Sequence, residues 1–186
     1  MNRHSNSTLY FIAILVPPPY AESIDAIKGD FALNYGSAHA LRSPPHITLI
    51  PPFSRSVRDE SRMHSVLKSY AGRCCPFMVV LEGFGAFRPR VIYVRISAGP
   101  GLEALYTGLA EICHDELGIA STEKTARPFN PHITVAHRDL EPDQFHRAWE
   151  KYRERPFHGS FPVEQLSLLR HKGSGWEVLF TCPFGK

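Results

Sequence analysis

The chain has 186 residues, 43% hydrophobic and 21% charged, a globular balance that fits one domain with a real core. A net charge of +3 and a pI of about 8.7 exclude a polybasic, histone-like partner surface yet suit an anionic substrate. No apolar run is long enough for a membrane span. The 4 cysteines, Cys74, Cys75, Cys113 and Cys182, have no C-x-x-C spacing, which argues against zinc or a disulfide framework and for a reducing cytoplasm.

Residues 1–7 are polar and expected to be loose. Leu9–Val16 reads as a buried strand rather than a signal peptide, because Pro17-Pro18-Pro19 follows at once without a small-residue cleavage site. Ile24, Ile27, Phe31 and Tyr35 recur at helical spacing from Ala21, and Gly36 is the stop. His46–Ile50 reads as a short strand confined by prolines on both sides, Pro51-Pro52 cutting it off. Ser56 is placed to cap a helix over Val57–Ala71, with Val66, Leu67 and Tyr70 inward and Gly72 at its end.

Pro76–Gly85 is expected as a strand with Phe77, Val79 and Leu81 on one face; Gly83 and Gly85 mark a bend or a close backbone approach. After a turn at Phe87–Arg90, Val91–Ser97 alternates, with Val91, Tyr93 and Arg95 opposed to Ile92, Val94 and Ile96. Leu102–Leu117 has the clearest apolar helical stripe, and Gly118 caps it. The polar segment Ala120–Pro131 delivers a strand His132–His137. A helix Pro142–Glu154 follows, with Phe145, Trp149 and Tyr152 inward. Two strands, Phe161–Arg170 and Trp176–Cys182, close the chain as a hairpin. The interleaving predicts an α+β fold: a single domain over residues 1–186 made of two similar lobes, antiparallel sheets with helices on their outer faces.

Two stretches say nearly the same thing: Pro45-His46-Ile47-Thr48-Leu49 and Pro131-His132-Ile133-Thr134-Val135. His46 and His132 stand 86 residues apart, close to half the chain, as in an internal repeat. A strand has a side-chain period of two, so each stretch turns His and Thr to one face and its apolar pair to the other. Facing each other, the two strands offer two imidazoles and two hydroxyls. That set suits a reaction needing a base on one side and an acid on the other. The bland alternative is two buried strands of similar composition.

The succession of a first strand, a His-x-Thr motif, the segment Phe87–Val94, a Leu-x-x-Leu helix, Asn130-Pro131-His132-x-Thr134 and a terminal hairpin resembles the 2H phosphoesterase superfamily, the 2′-5′ RNA ligase and cyclic phosphodiesterase group. The resemblance runs from Leu9 to Phe184. It implies two pseudo-symmetric lobes around a central cleft lined by both motifs, with His46 and His132 as catalytic pair and Thr48 and Thr134 holding the phosphate. It implies no metal and no cofactor. The substrate would be a small nucleotide or RNA end carrying a cyclic phosphate or a 2′-5′ linkage, with His132 as base and His46 as acid in hydrolysis. A monomer in the cytoplasm, away from membranes, is expected. The chain departs from the pattern at Leu49–Phe53 and at Ala136–Asp139.

Phe53 and Phe129 flank the motifs and are candidates for base stacking, with core packing as the commoner role of a Phe. Arg127, Arg138, Arg170 and Lys172 are candidates for phosphate contacts against the usual solvated role. His137 is one residue out of phase and should face away. The other histidines show no partner pattern, and Trp149 and Trp176 read as packing. Competing functions are a non-catalytic RNA-end or nucleotide-binding module, which has no need of two imidazoles, and a metal hydrolase, which lacks carboxylates beside the motifs.

Overall fold

The computed structural model describes residues 7–97, 99–119 and 128–185. In order these are β1 (Ser7–Leu15), α1 (Tyr20–Tyr35), β2 (His46–Ser56), α2 (Glu60–Ala71), β3 (Phe77–Phe87), β4 (Val91–Ser97), α3 (Pro100–Asp115), β5 (His132–Ala136), α4 (Pro142–Tyr152), β6 (His158–Val163), β7 (Gln165–His171) and β8 (Trp176–Pro183). The strands form two antiparallel four-stranded sheets, ordered β2-β1-β7-β8 and β5-β4-β3-β6. This is the expected α+β class.

Both His-x-Thr stretches lie on edge strands, one per sheet. Their alternation is as read: Ile47, Leu49, Ile133 and Val135 are at most 2% exposed, while His46, Thr48, His132 and Thr134 are half-buried. The apolar faces join one cluster of buried residues drawn from both sheets and all four helices. The connecting helices pack crosswise. α1 links β1 to β2 yet lies against β5, and α3 links β4 to β5 yet lies against β2.

Several boundaries differ from expectation. β2 runs through Pro51-Pro52 to Ser56, and its register with β1 shifts between Tyr10 and Ile12, opposite the prolines. An edge strand tolerates this, because a bulge absorbs residues that have no N–H to donate. The expected strand Phe161–Arg170 is two strands, β6 and β7, parted at Glu164 and belonging to different sheets. Ser56 does cap the following turn, its Oγ accepting from Arg58 N at 3.2 Å, but that turn is a short 3-10 segment and α2 starts at Glu60. Met63, Leu67 and Ala71 form its buried face, with Val66 and Tyr70 only half-buried. Gly36 and Gly118 end their helices in the left-handed conformation, whereas Gly72 does not. Residues 120–127 of the connecting segment lie outside the described residues.

The backing of the first motif strand is open to direct measurement. Ile47→Ala removes a fully buried side chain and is expected to lower unfolding free energy by about 2–5 kcal/mol, read from urea denaturation. An unchanged midpoint would mean that this face is not packed.

Candidate active site

The two imidazoles are held alike. Nδ1 of His46 lies 2.7 Å from the Pro44 carbonyl, and Nδ1 of His132 lies 2.7 Å from the Asn130 carbonyl. A carbonyl oxygen can only accept, so Nδ1–H is the donor in both rings. Nε2 is then a free lone pair in the neutral ring and a free N–H donor in the charged one. Each carbonyl belongs to the residue two before its histidine, so the tether is local to the motif.

Neighbouring rings fix the imidazoles further. His46 packs on Phe11 with centroids 4.8 Å apart. His132 lies against Tyr93 at 5.0 Å and meets Phe87 edge-on at 5.1 Å. Gly85 makes the Tyr93 position possible, since a Cβ there would stand 2.5 Å from the Tyr93 ring. The sequence marked Gly85 as a close approach, and the ring it admits supports His132. Gly83, the other flagged glycine, has φ 70° where the β3–β4 register slips.

A cavity of about 420 Å³ is lined by the first sheet, the turn His39–Arg42 and the end of β5. His46 and Thr48 line it from β2, Thr134 from β5, Phe11 from β1 and Trp176 from β8. Thr48 and Thr134 thus offer hydroxyl donors to one space. His132 is not among the lining residues, but its charge is one of the influences on His46.

Burial lowers the His46 pKa to about 4, helped by the charges of Lys28 and His132 and opposed by the Pro44 carbonyl. Burial also lowers His132, opposed by the Asn130 carbonyl. Neither ring has a carboxylate partner among the described residues. Lys28 itself is buried, its Nζ donating to Asp25 at 3.1 Å and to the Ser43 carbonyl at 2.9 Å. It thereby anchors the segment that carries Pro44 and His46.

Other candidates fall in varied places. Phe53 stacks on Tyr10 and Phe129 stacks on Tyr106 at 4.0 Å; both are half-buried and neither lines the cavity. Arg170 is paired with Glu60 and Glu177, and Lys172 with Glu177. Arg138 lines the cavity, and Arg127 lies outside the described residues. His137 was expected to face away, but it lines the cavity. β5 ends at Ala136, so the strand's alternation no longer governs the next residue. Burial lowers the His137 pKa to about 4, aided by the nearby charges of His39 and Arg138. His39, Arg42 and His171 also line the cavity, on loops and ends where no periodic signal exists. Trp176 both packs on Phe11 at 4.6 Å and lines the cavity.

These pKa values carry a sign for stability. The folded state holds His46 and His137 neutral down to about 4, whereas their ordinary value is 6.5. The unfolded chain therefore binds more protons across that window. Stability is complete above pH 6.5 and falls as pH drops toward 4. Thermal unfolding followed over this range should show the decline, and His137→Asn should flatten it. An unchanged slope in the variant would remove His137 as a source.

A family model described as the 2′-5′ RNA ligase superfamily matches residues 16–175. A protein of Geobacillus kaustophilus named as a phosphoesterase is 28% identical over 175 residues, covering 92% of this chain and 95% of its own. A similarly named Bacillus pumilus protein is 26% identical over 170 residues, covering 89% and 94%. Among solved structures, TT0787 of Thermus thermophilus superposes with a TM-score of 0.69 at 23% identity, covering 96% of this chain and 99% of that one. Escherichia coli LigT does so with a TM-score of 0.65 at 21% identity, covering 98% and 100%. These last two show a shared fold. The match to the family model, spanning most of the chain and both His-x-Thr motifs, places the protein in the 2′-5′ RNA ligase superfamily of 2H phosphoesterases.

Proposed function

We propose that the protein is a metal-independent phosphodiesterase that opens a cyclic phosphodiester on a small nucleotide or an RNA end. The observation carrying this reading is the matched pair of Nδ1–carbonyl tethers, which leaves Nε2 of both His46 and His132 free for proton transfer. LigT has been solved in complex with 3′-AMP, with phosphate and with ATP, which supports a phosphate-bearing nucleotide as the ligand class here. The 4 free cysteines fit a reducing compartment such as the cytoplasm. Both motifs come from one chain, so a monomer suffices.

In the proposed reaction Nε2 of His132 takes a proton from water as the water oxygen bonds to phosphorus. The bond from phosphorus to one ribose oxygen breaks, and Nε2–H of protonated His46 gives that oxygen a proton. Thr48 and Thr134 donate to the non-bridging oxygens as charge builds on them. With the 5′-hydroxyl of a second strand in place of water, His132 taking its proton and His46 protonating the departing 3′ oxygen, the same groups would join a 2′-5′ linkage.

His46→Ala and His132→Ala are each expected to lower kcat by about 100- to 10,000-fold, on a 2′,3′-cyclic nucleotide in the presence of chelator. An activated p-nitrophenyl leaving group needs no acid, so it should restore much of the rate to the His46 variant and little to the His132 variant. The opposite pattern would exchange the two roles; wild-type rates in either variant would remove that histidine from the mechanism.

The pH dependence follows from burial. In the free protein burial disfavours protonation of both rings, of His46 down to about 4. A bound phosphodiester anion raises both values. The bell of kcat/KM, which reports the free protein, should therefore lie at lower pH than the bell of kcat, which reports the complex. Coincident bells would contradict a substrate seated between these rings.

A further inference from the structure

One wall of the cleft carries more positive charge than a single diester requires. Arg42 ends the 3-10 turn His39–Arg42 just ahead of β2, and Arg138 follows β5. Both line the cavity together with His39 and His137, and no Asp or Glu lines it. Among the described residues, neither arginine has a carboxylate within ion-pairing distance. By contrast, Arg170 and Lys172 are neutralised by Glu60 and Glu177. The carboxylate nearest in sequence, Asp139, is already occupied, accepting from Ser37 Oγ at 2.8 Å, Ala38 N at 2.9 Å and His39 N at 2.8 Å.

These bonds also build the wall. Asp139 pins the His39 turn to the segment after β5 and so brings the His39 ring edge-on to the His137 ring, with centroids 4.8 Å apart. Burial pushes the Asp139 carboxyl up, but the bonds from Ser37, His39 and Ala38 outweigh it and hold the group ionised. Between His137 and Asp139, Arg138 has φ 61°, the one positive φ outside glycine among the described residues. A side-chain-bearing residue held in that region is a strain characteristic of ligand sites. Here it accompanies a free guanidinium at the cavity wall.

We propose that this wall is a second phosphate subsite, in which Arg42, Arg138, His39 and His137 hold a phosphate of the substrate other than the one that reacts. The inference rests on the phosphodiesterase reading and narrows its substrate class. The ligand is a nucleotide with a cyclic phosphate at one end and a further phosphate elsewhere, either a 5′-phosphate or the adjoining internucleotide phosphate of an RNA end. Guanidinium groups suit this task, since their planar donors match phosphate oxygens in pairs.

The test compares three substrates on the whole protein: adenosine 2′,3′-cyclic phosphate with a 5′-hydroxyl, the same nucleoside with a 5′-phosphate, and a dinucleotide ending in a cyclic phosphate. At least one doubly phosphorylated substrate should exceed the 5′-hydroxyl compound by about tenfold or more in kcat/KM, chiefly through KM, as expected for one charge-assisted contact. The better of the two identifies the source of the phosphate. Arg42→Gln and Arg138→Asn should each shrink that ratio below about threefold, with melting temperature confirming the fold. Equal kcat/KM for all three substrates, or a ratio that survives in both variants, overturns the subsite. If none of the three is turned over, the phosphodiesterase reading fails on its own, and calorimetry decides the subsite. Either adenosine 3′,5′-bisphosphate or the dinucleotide ApA with a 3′-phosphate should then bind about tenfold more tightly than 3′-AMP, and Arg138→Asn should erase the difference; equal affinities of all three overturn the proposal.

Discussion

Everything in this cleft depends on two edge strands that each have one face locked into a common core. Ile47 and Leu49 on β2, and Ile133 and Val135 on β5, cannot turn outward without losing that burial. A one-residue slip would send His and Thr into the interior and the aliphatic pair into water. The crosswise packing of α1 on β5 and of α3 on β2 ties each motif strand to the chain unit that contains the other. The spacing of the motifs is therefore a property of the whole core.

Orientation of the imidazoles is decided more locally. Each ring is tethered by the carbonyl two residues before it, so the backbone path into the strand sets which nitrogen is bound and which is left free. On the first motif that path is anchored from beneath by buried Lys28, which holds the Ser43 carbonyl. On the second, the ring rests on Tyr93, whose position needs the bare backbone of Gly85. The two supports differ although the motifs are alike. A carbonyl tether also differs from a carboxylate one: it fixes the tautomer without adding a negative charge, so burial wins and the pKa of both rings is lowered.

What could be read from the sequence was what depends on local periodicity. The alternation of His46–Leu49 and of His132–Val135 named the buried face and the half-buried face that carries His and Thr, and the glycines of β3 marked a real irregularity and a real close approach. What could not be read depends on where the chain goes next. Residues 161–170 alternate well enough for one strand, yet the chain changes sheets at Glu164. Pro51-Pro52 looked like a stop because the sequence does not say that β2 is an edge. His137 was assigned by a parity that ended one residue earlier. Phe53 and Phe129, close to the motifs in sequence, each found a tyrosine to pack on. Trp176, far beyond the second motif in sequence, reaches the cleft through β8.

The absence of acidic side chains from the cavity lining bears, under the proposed reaction, on the release of product as well as the capture of substrate. Opening a cyclic diester turns one negative charge into a monoester carrying up to two. A lining without counter-charge would hold that dianion harder than the ring that entered. Departure of the spent nucleotide would then be slower than that of unreacted substrate, and free orthophosphate in the surrounding medium would compete for the same berth.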